Sequence, residues 1–381
     1  MRENFDVGVI GAGVNGSSTA YHLAREGKRV LLLEQFKLAH DQGQSCGESR
    51  MFSVAYGADE EVKLALQSKE LWYELERLVG EKVLFRAGGI DVGEGEKERA
   101  SIFKVHDTMQ ALGIDHEVWE HKILREKFPT WRLPENSFAI YSPTDAIIRP
   151  THTVIILLKE ALGLGVVIRD QEPVVKIFSG ASCFKIVTAR GRYTVKNLVV
   201  TCGVWTNQVL SHFNFSLPIQ PTQEQTVYFR PKANAPAFVC GVFPMWFHRR
   251  EPVVYGFPIF GEPGIKIGFH RDGVNVGIDE YDGISRVSVT DRLRAYLDQH
   301  LPDASGESFG ARTCLYDQTP DDDFIVGQIP GVPNAFVGAG FSGHGFGPAI
   351  AIGRALADLV LRGKTEIEIT RFSISRFMEK K

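Results

Sequence analysis

Asp6-Val-Gly-Val-Ile10, Gly11-Ala-Gly-Val-Asn-Gly16 and Arg29-Val-Leu-Leu-Leu-Glu34 are parts of one unit, and their order decides the fold. The first is a short apolar run with β-branched residues, which reads as a buried strand. A helical pattern follows the glycines to about Glu26, Gly27 closes it, and Arg29–Leu33 reads as a second buried strand ending on Glu34. Each part has a physical task. Gly11 permits the tight turn, Gly13 lets a pyrophosphate approach the backbone, and Gly16 lets the helix lie against the sheet. The helix N-terminus offers unpaired N–H groups and a positive dipole end to phosphates. Glu34 stands where an acid grips a ribose hydroxyl, roughly 20 residues beyond the glycines. A GxGxxG alone is weak, but between a strand and a helix, with an acid ending the next strand, it predicts dinucleotide binding. The acid argues against the 2′-phosphate of NADP, and the unit does not by itself separate FAD from NAD.

The rest of the chain sets limits. Its 381 residues suit two domains. A net charge of -3 without a basic stripe gives no footprint for nucleic acid. No apolar run has membrane-spanning length and no signal region precedes the first strand, so a cytoplasmic protein is expected. Cys46, Cys183, Cys202, Cys240 and Cys314 lack metal-type spacing and form no disulfide framework.

In chain order, the polar loop from Leu38 to Ser49 is long enough to need a task, and covering the cofactor is the natural one. Glu61 to Val79 reads as an amphipathic helix with Leu64, Ser68, Leu71, Trp72, Leu75 and Leu78 on one face. Ser101 to Leu112 is expected to be helical, as is the stretch after Pro150. Leu198-Val-Val-Thr-Cys-Gly-Val-Trp205 reads as a buried strand ending in a glycine turn. Gln220–Phe229 and Val253–Phe269 look extended, and Thr290 looks like the cap of a helix reaching Leu301. Ala335-Phe-Val-Gly338, the glycine-rich Ala339–Gly347 and a long helix from Pro348 repeat the strand, turn and helix plan of the N-terminus. Two such units at opposite ends imply two half-sheets brought together, with a mixed domain between.

The whole length resembles the sarcosine oxidase, N-methyltryptophan oxidase and pipecolate oxidase group of FAD-dependent amine oxidases. The resemblance rests on Gly11–Gly16, Gly47-Glu-Ser-Arg50 with Ala55-Tyr56, Tyr255-Gly-Phe-Pro258 and Lys266-Ile-Gly-Phe-His270. It continues through Cys314-Leu-Tyr316, Thr319-Pro-Asp321 and Gly340-Phe-Ser-Gly-His-Gly-Phe346. It implies an α/β protein: a p-hydroxybenzoate-hydroxylase-like, Rossmann-type FAD domain (1-84, 147-218 and 323-381) and an α+β, mixed-sheet substrate domain (85-146 and 219-322). It implies a monomer, a small-molecule amine substrate and oxygen, with imine and hydrogen peroxide as products.

Residue by residue, the resemblance makes Cys314 the covalent link to FAD and Lys266 the oxygen-activating cation. Arg50 and Ser49 lie beside the flavin, and Tyr255, His270 and Tyr316 line the substrate cavity. Further cofactor contacts are implied at Gly11, Gly13, Val14, Asn15, Gly16, Glu34, Gln35, Val174, Cys202, Gly203 and Trp205. The same holds for Gly340, Ser342, Gly343, His344, Gly345, Phe346 and Gly347, whose N–H groups would face the flavin C2 carbonyl.

The chain departs from the family at the carboxylate anchor. Ser53 and Gly347 stand where the family has an arginine and a lysine, and Cys46 replaces a histidine near the flavin. Trp246 is expected to line the cavity, with Arg249 or Arg250 as a replacement cation. The expected activity is oxidation of a secondary amine or an N-substituted or cyclic amino acid. The alternatives are oxidation of an amine without a carboxylate, a flavin dehydrogenase with another acceptor, and a flavoprotein without turnover.

Overall fold

The computed structural model describes residues 2–378. Its first layer is an eight-stranded sheet whose parallel centre runs Val167–Arg169, Val30–Leu33, Arg2–Ile10, Arg192–Val200 and Ala335–Ala339. Val30–Leu33 is buried on both faces, as a central parallel strand requires. Val30 and Leu32 meet the helices Val14–Arg25, Pro150–Gly163 and Ala349–Arg362, while Leu31 and Leu33 meet the layer formed by the antiparallel pair Val174–Ser179 and Phe184–Thr188. The C-terminal strand thus joins the N-terminal half-sheet, as the paired glycine turns implied.

The helices Val14–Arg25 and Ala349–Arg362 touch at a point where no side chain fits. A Cβ on Gly353 would lie 2.1 Å from Ser18 Oγ, and that hydroxyl donates to Ile350 O at 3.2 Å. Gly16 is equally constrained, since a Cβ there would lie 1.7 Å from Gly11 O.

The second layer is a nine-stranded mixed sheet containing Gly89–Glu94, Ser137–Ser142, Gln220–Phe229, Met245–Arg249, Val254–Phe257, Ile265–Phe269 and Ser308–Gln318. A small sheet of Arg50–Phe52, Ala146–Ile148 and Leu84–Arg86 joins the layers. The proposed division at 84 and 147 runs through this joint.

Some elements differ from the sequence reading. The helix expected from Thr290 begins at Val287, where Gln225 Oε1 accepts from Arg286 N at 2.6 Å and fixes the chain just ahead of the first turn. Thr290 instead accepts from Gln225 Nε2 at 3.1 Å. Leu78, expected on the buried face of Asp59–Val79, is 58% exposed, because the last turn runs past the core below Leu75. After this helix the chain forms two strands, Leu84–Arg86 and Gly89–Glu94, parted at Gly88, whose φ of 70° no strand carries.

Candidate active site

A continuous cavity of about 1740 Å³ lies between the two sheets, running from the first glycine turn to the strand of Cys314. At its nucleotide end, Glu34 Oε2 accepts from Ala12 N at 2.8 Å and Oε1 from Phe36 N at 2.9 Å. Burial raises the Glu34 carboxyl, but hydrogen bonds from His40, Phe36 and Ala12 outweigh it and the net shift is downward. The N–H groups of Gly13 and Asn15 have no protein partner among the described residues, and buried Asn15 Oδ1 is also unpaired. Ser45 Oγ accepts from Val14 N at 3.1 Å. Gln35, Val174, Cys202, Gly203 and Trp205 line this end. Residues 37–48 of the polar loop form its cover. This end fits the adenosine and pyrophosphate of a dinucleotide: unpaired donors at a helix start, a ribose-height acid and glycines that bar side chains.

At the other end, Cys314 and Tyr316 stand on Ser308–Gln318. Lys266 is 5% exposed, and its Nζ donates to Ser49 O at 2.9 Å and reaches Ser49 Oγ at 3.3 Å. Burial, then the neighbouring Arg50 guanidinium, pushes the ammonium well below the lysine range. Arg50 donates to Ser49 O at 3.0 Å and Gln44 O at 3.1 Å. Burial pushes the Cys314 thiol up to about 11, against the pull of Arg50 and Lys266. Tyr255 and Tyr316 are pushed upward by burial first and stay protonated. His270 and His344 are driven down by burial to about 3 and about 4, so both are neutral near pH 7.

The second glycine turn is only partly in the wall. Gly343, His344, Gly345 and Phe346 line the cavity, whereas Gly340, Ser342 and Gly347 lie behind it. Gly340 N donates to Asp317 Oδ2 at 2.8 Å, and Ser342 N donates to Asp317 O at 3.3 Å. Gly347 O accepts from Trp72 Nε1 at 2.8 Å. The N–H groups of Gly343, Gly345 and Phe346 have no protein partner among the described residues, which leaves them for a carbonyl of a bound ring.

Of the expectations about the substrate side, Arg250 is corrected, while Trp246 and Arg249 reach the cavity with qualifications. Trp246 touches the wall, but its indole points into the core, 5.5 Å from Phe243 and 6.1 Å from Trp131. It covers Gly256, where a Cβ would lie 2.0 Å from the ring. The register pairs Phe247, not Trp246, with Tyr255, so Phe247 shares the cavity face and stands 5.3 Å from His270. Arg250 turns away: its Nη1 meets His300 Nε2 at 2.7 Å, outside the cavity. Arg249 does line the cavity but is not a free cation, since Asp91 takes its Nε at 2.9 Å and its Nη2 at 2.6 Å, and Ser101 Oγ accepts from Nη1.

Sequence reasoning missed Phe247, Asp91, Gln44, Ser45, Asp317 and Asp145. Asp145 lies against Ser53, 3% exposed, with Oδ1 accepting from Ser142 Oγ at 2.7 Å and Val54 N at 3.2 Å. Burial pushes its carboxyl up to about 6, against hydrogen bonds from Ser53, Ser142 and Val54. Only the turn-like Pro143-Thr-Asp145 gave a signal, and it points to a loop rather than to a site.

The family model described as "DAO: FAD dependent oxidoreductase" matches residues 6–359. A monomeric sarcosine oxidase of Bacillus sp. (strain NS-129) is 34% identical over 100% of this chain and 99% of its own. The peroxisomal sarcosine oxidase of Homo sapiens is 32% identical over 99% and 97%. NikD, an amino acid oxidase essential for nikkomycin biosynthesis, shares the fold with a TM-score of 0.86 at 24% identity over 97% of both chains. L-proline dehydrogenase from P. horikoshii does so with a TM-score of 0.88 at 21% over 99% of both.

Asp145 has a measurable stability signature. A carboxyl raised in the folded state contributes stability that is present below its unfolded pKa and is lost as pH rises through about 6. Asp145→Asn keeps an acceptor for Val54 and is expected to raise the melting temperature at about pH 8, by roughly 1–3 kcal/mol of stability, and not at about pH 4. An equal shift at both pH values would contradict this account.

Proposed function

The chain belongs to the DAO family of FAD-dependent oxidoreductases and is an FAD-dependent amine or amino-acid oxidase; we propose that its substrate is an N-substituted or cyclic amino acid and that dioxygen is the acceptor. FAD would be held by the Gly11–Gly16 turn, Glu34 and the Gly343–Phe346 turn, and would supply the two-electron chemistry that converts the amine to an imine and dioxygen to hydrogen peroxide.

The observation that carries the reading is the buried Lys266 side chain, its Nζ held against Ser49 in the wall that also contains Cys314 and able to carry a proton there as negative charge develops. A cation fixed in a dry site stabilises negative charge as it develops on dioxygen, with no reorganisation. Arg50 and the unpaired N–H groups of Gly343, Gly345 and Phe346 add positive potential at the ring end. Phe247, Tyr255, Tyr316 and neutral His270 make a weakly polar chamber, which favours the amine in its neutral, hydride-donating form.

The carboxylate then needs a partner in place of the absent Arg and Lys. We assign it to Arg249, whose planar fork is held by Asp91 with N–H donors of Nη1 and Nη2 still to spend. Cys314 is assigned the covalent link to FAD. The similarity to monomeric sarcosine oxidases supports a monomer. No described helix is long and apolar enough to cross a membrane, and a cytoplasmic location remains a proposal.

Three measurements test these assignments. Yellow colour is expected to stay with acid-precipitated protein and to move to the supernatant in Cys314→Ser; full release from the unmodified protein would exclude the link. In Lys266→Met, reoxidation of the flavin by oxygen is expected to slow far more than its reduction by substrate, as charge on oxygen develops only in the second step. Equal slowing of both would assign the lysine to another task. In Arg249→Met, an N-methyl amino acid is expected to lose about tenfold to a hundredfold in kcat/KM relative to its decarboxylated amine, the range for a charged hydrogen bond. A parallel loss for both compounds would make Arg249 a wall residue only.

A further inference from the structure

Asp145 lies beside Ser53, the position at which the family's anchoring arginine is missing, and the surrounding backbone is built to admit it. Its carboxyl fills the space a side chain at position 89 would need: a Cβ on Gly89 would lie 2.3 Å from Asp145 Oδ2. Gly89 and Asp91 alternate onto the same face of Gly89–Glu94, so Asp145 stands on the cavity side one step along from the Asp91–Arg249 pair. Oδ1 is engaged by Ser142 and Val54, and the Ser53 hydroxyl also bonds the carboxyl, so every partner it has is a neutral donor. No arginine, lysine or histidine forms an ion pair with the carboxyl among the described residues. A carboxyl 3% exposed, lining the cavity and answered by neutral donors alone, is suited to meet a cationic group from the cavity side.

We propose that Asp145 receives a positively charged group at the non-reacting end of the substrate, so that the substrate is an N-substituted amino acid with a basic side chain. The inference rests on the amine-oxidase reading and narrows its substrate class. Ser53 is the permissive residue: an arginine in its place would meet Asp145 and cancel the charge, whereas serine leaves the acid to the ligand. Arg249 and Asp145 then divide recognition, one reading the carboxylate and the other the side-chain cation.

The test compares α-N-methylornithine with α-N-methylnorleucine, in which a methyl replaces the terminal ammonium, and with the hydroxyl-ended analogue, using the holoenzyme. The ornithine derivative is expected to lead both others by at least about tenfold in kcat/KM, as a charge-assisted contact predicts. Asp145→Asn is expected to erase that lead, bringing kcat/KM for the ornithine derivative down to the level of the norleucine derivative. Ser53→Arg, which keeps Asp145, is expected to erase it as well. A readout without turnover accompanies these: the ornithine derivative should raise the melting temperature of the wild-type protein more than the norleucine derivative does, and equally in Asp145→Asn. Equal rates for the ammonium-ended and methyl-ended compounds would overturn the inference while leaving the oxidase reading intact. A hydroxyl-ended compound as good as the ornithine derivative would also overturn it, since charge would then be irrelevant. If no member of a wider panel of secondary amines reduced the flavin, the oxidase reading would fail and this inference with it.

Discussion

The contact on which the molecule depends is the one between the first helix and the last, where Gly353 lets Ser18 reach Ile350 O. It holds together segments more than 300 residues apart, and each carries a glycine turn at its start. Because the helices cannot separate without unpairing a buried hydroxyl, the two turns keep a fixed spacing across the cavity. That spacing determines what can bind: an elongated molecule with an anionic end near Gly13 and a carbonyl-bearing ring near Gly343. A larger residue at 353 would therefore harm the site from a distance, through helix separation rather than through any lost contact with a ligand.

The charges inside the cavity divide by region. Lys266 and Arg50 spend their donors on the backbone of Ser49 and Gln44 rather than on acids, so their positive potential stays directed into the cavity. Arg249 and Asp91 are paired and add a dipole more than a net charge. Asp145 is the exception, an acid with no opposing charge bonded to it. Its elevated pKa is the cost of holding that charge ready for a ligand, the usual conflict between a stable core and a competent site.

The parts legible in the sequence were those in which local chemistry carries the meaning. Gly11, Gly13, Gly16 and Glu34 announced a nucleotide site because turn, helix start and acid lie within one short stretch. Trp246 shows where such reading stops. A strand shifted by one residue exchanges its faces, and nothing local to Met245–Arg249 says which face meets the cavity; pairing with Val254–Phe257 decides it. The Asp91–Arg249 pair was equally hidden, since it depends on a parallel pairing of strands about 150 residues apart. Asp145 was missed for a related reason. Its importance comes from what lies opposite, Ser53 and Gly89, and an acid in a turn ordinarily needs no further account.

The loop over the nucleotide end is fastened from within. Gln44 Nε2 donates to Asp317 Oδ1 at 2.7 Å, and the other oxygen of the same fully buried carboxylate holds Gly340 N. Loop, cysteine-bearing strand and C-terminal glycine turn thus share one acid. With the clasp shut, residues 37–48 are tied at Gln44 to the cysteine-bearing strand and, through the same acid, to the second glycine turn. Loss of that one carboxylate would therefore loosen all three segments together, although they lie far apart along the chain.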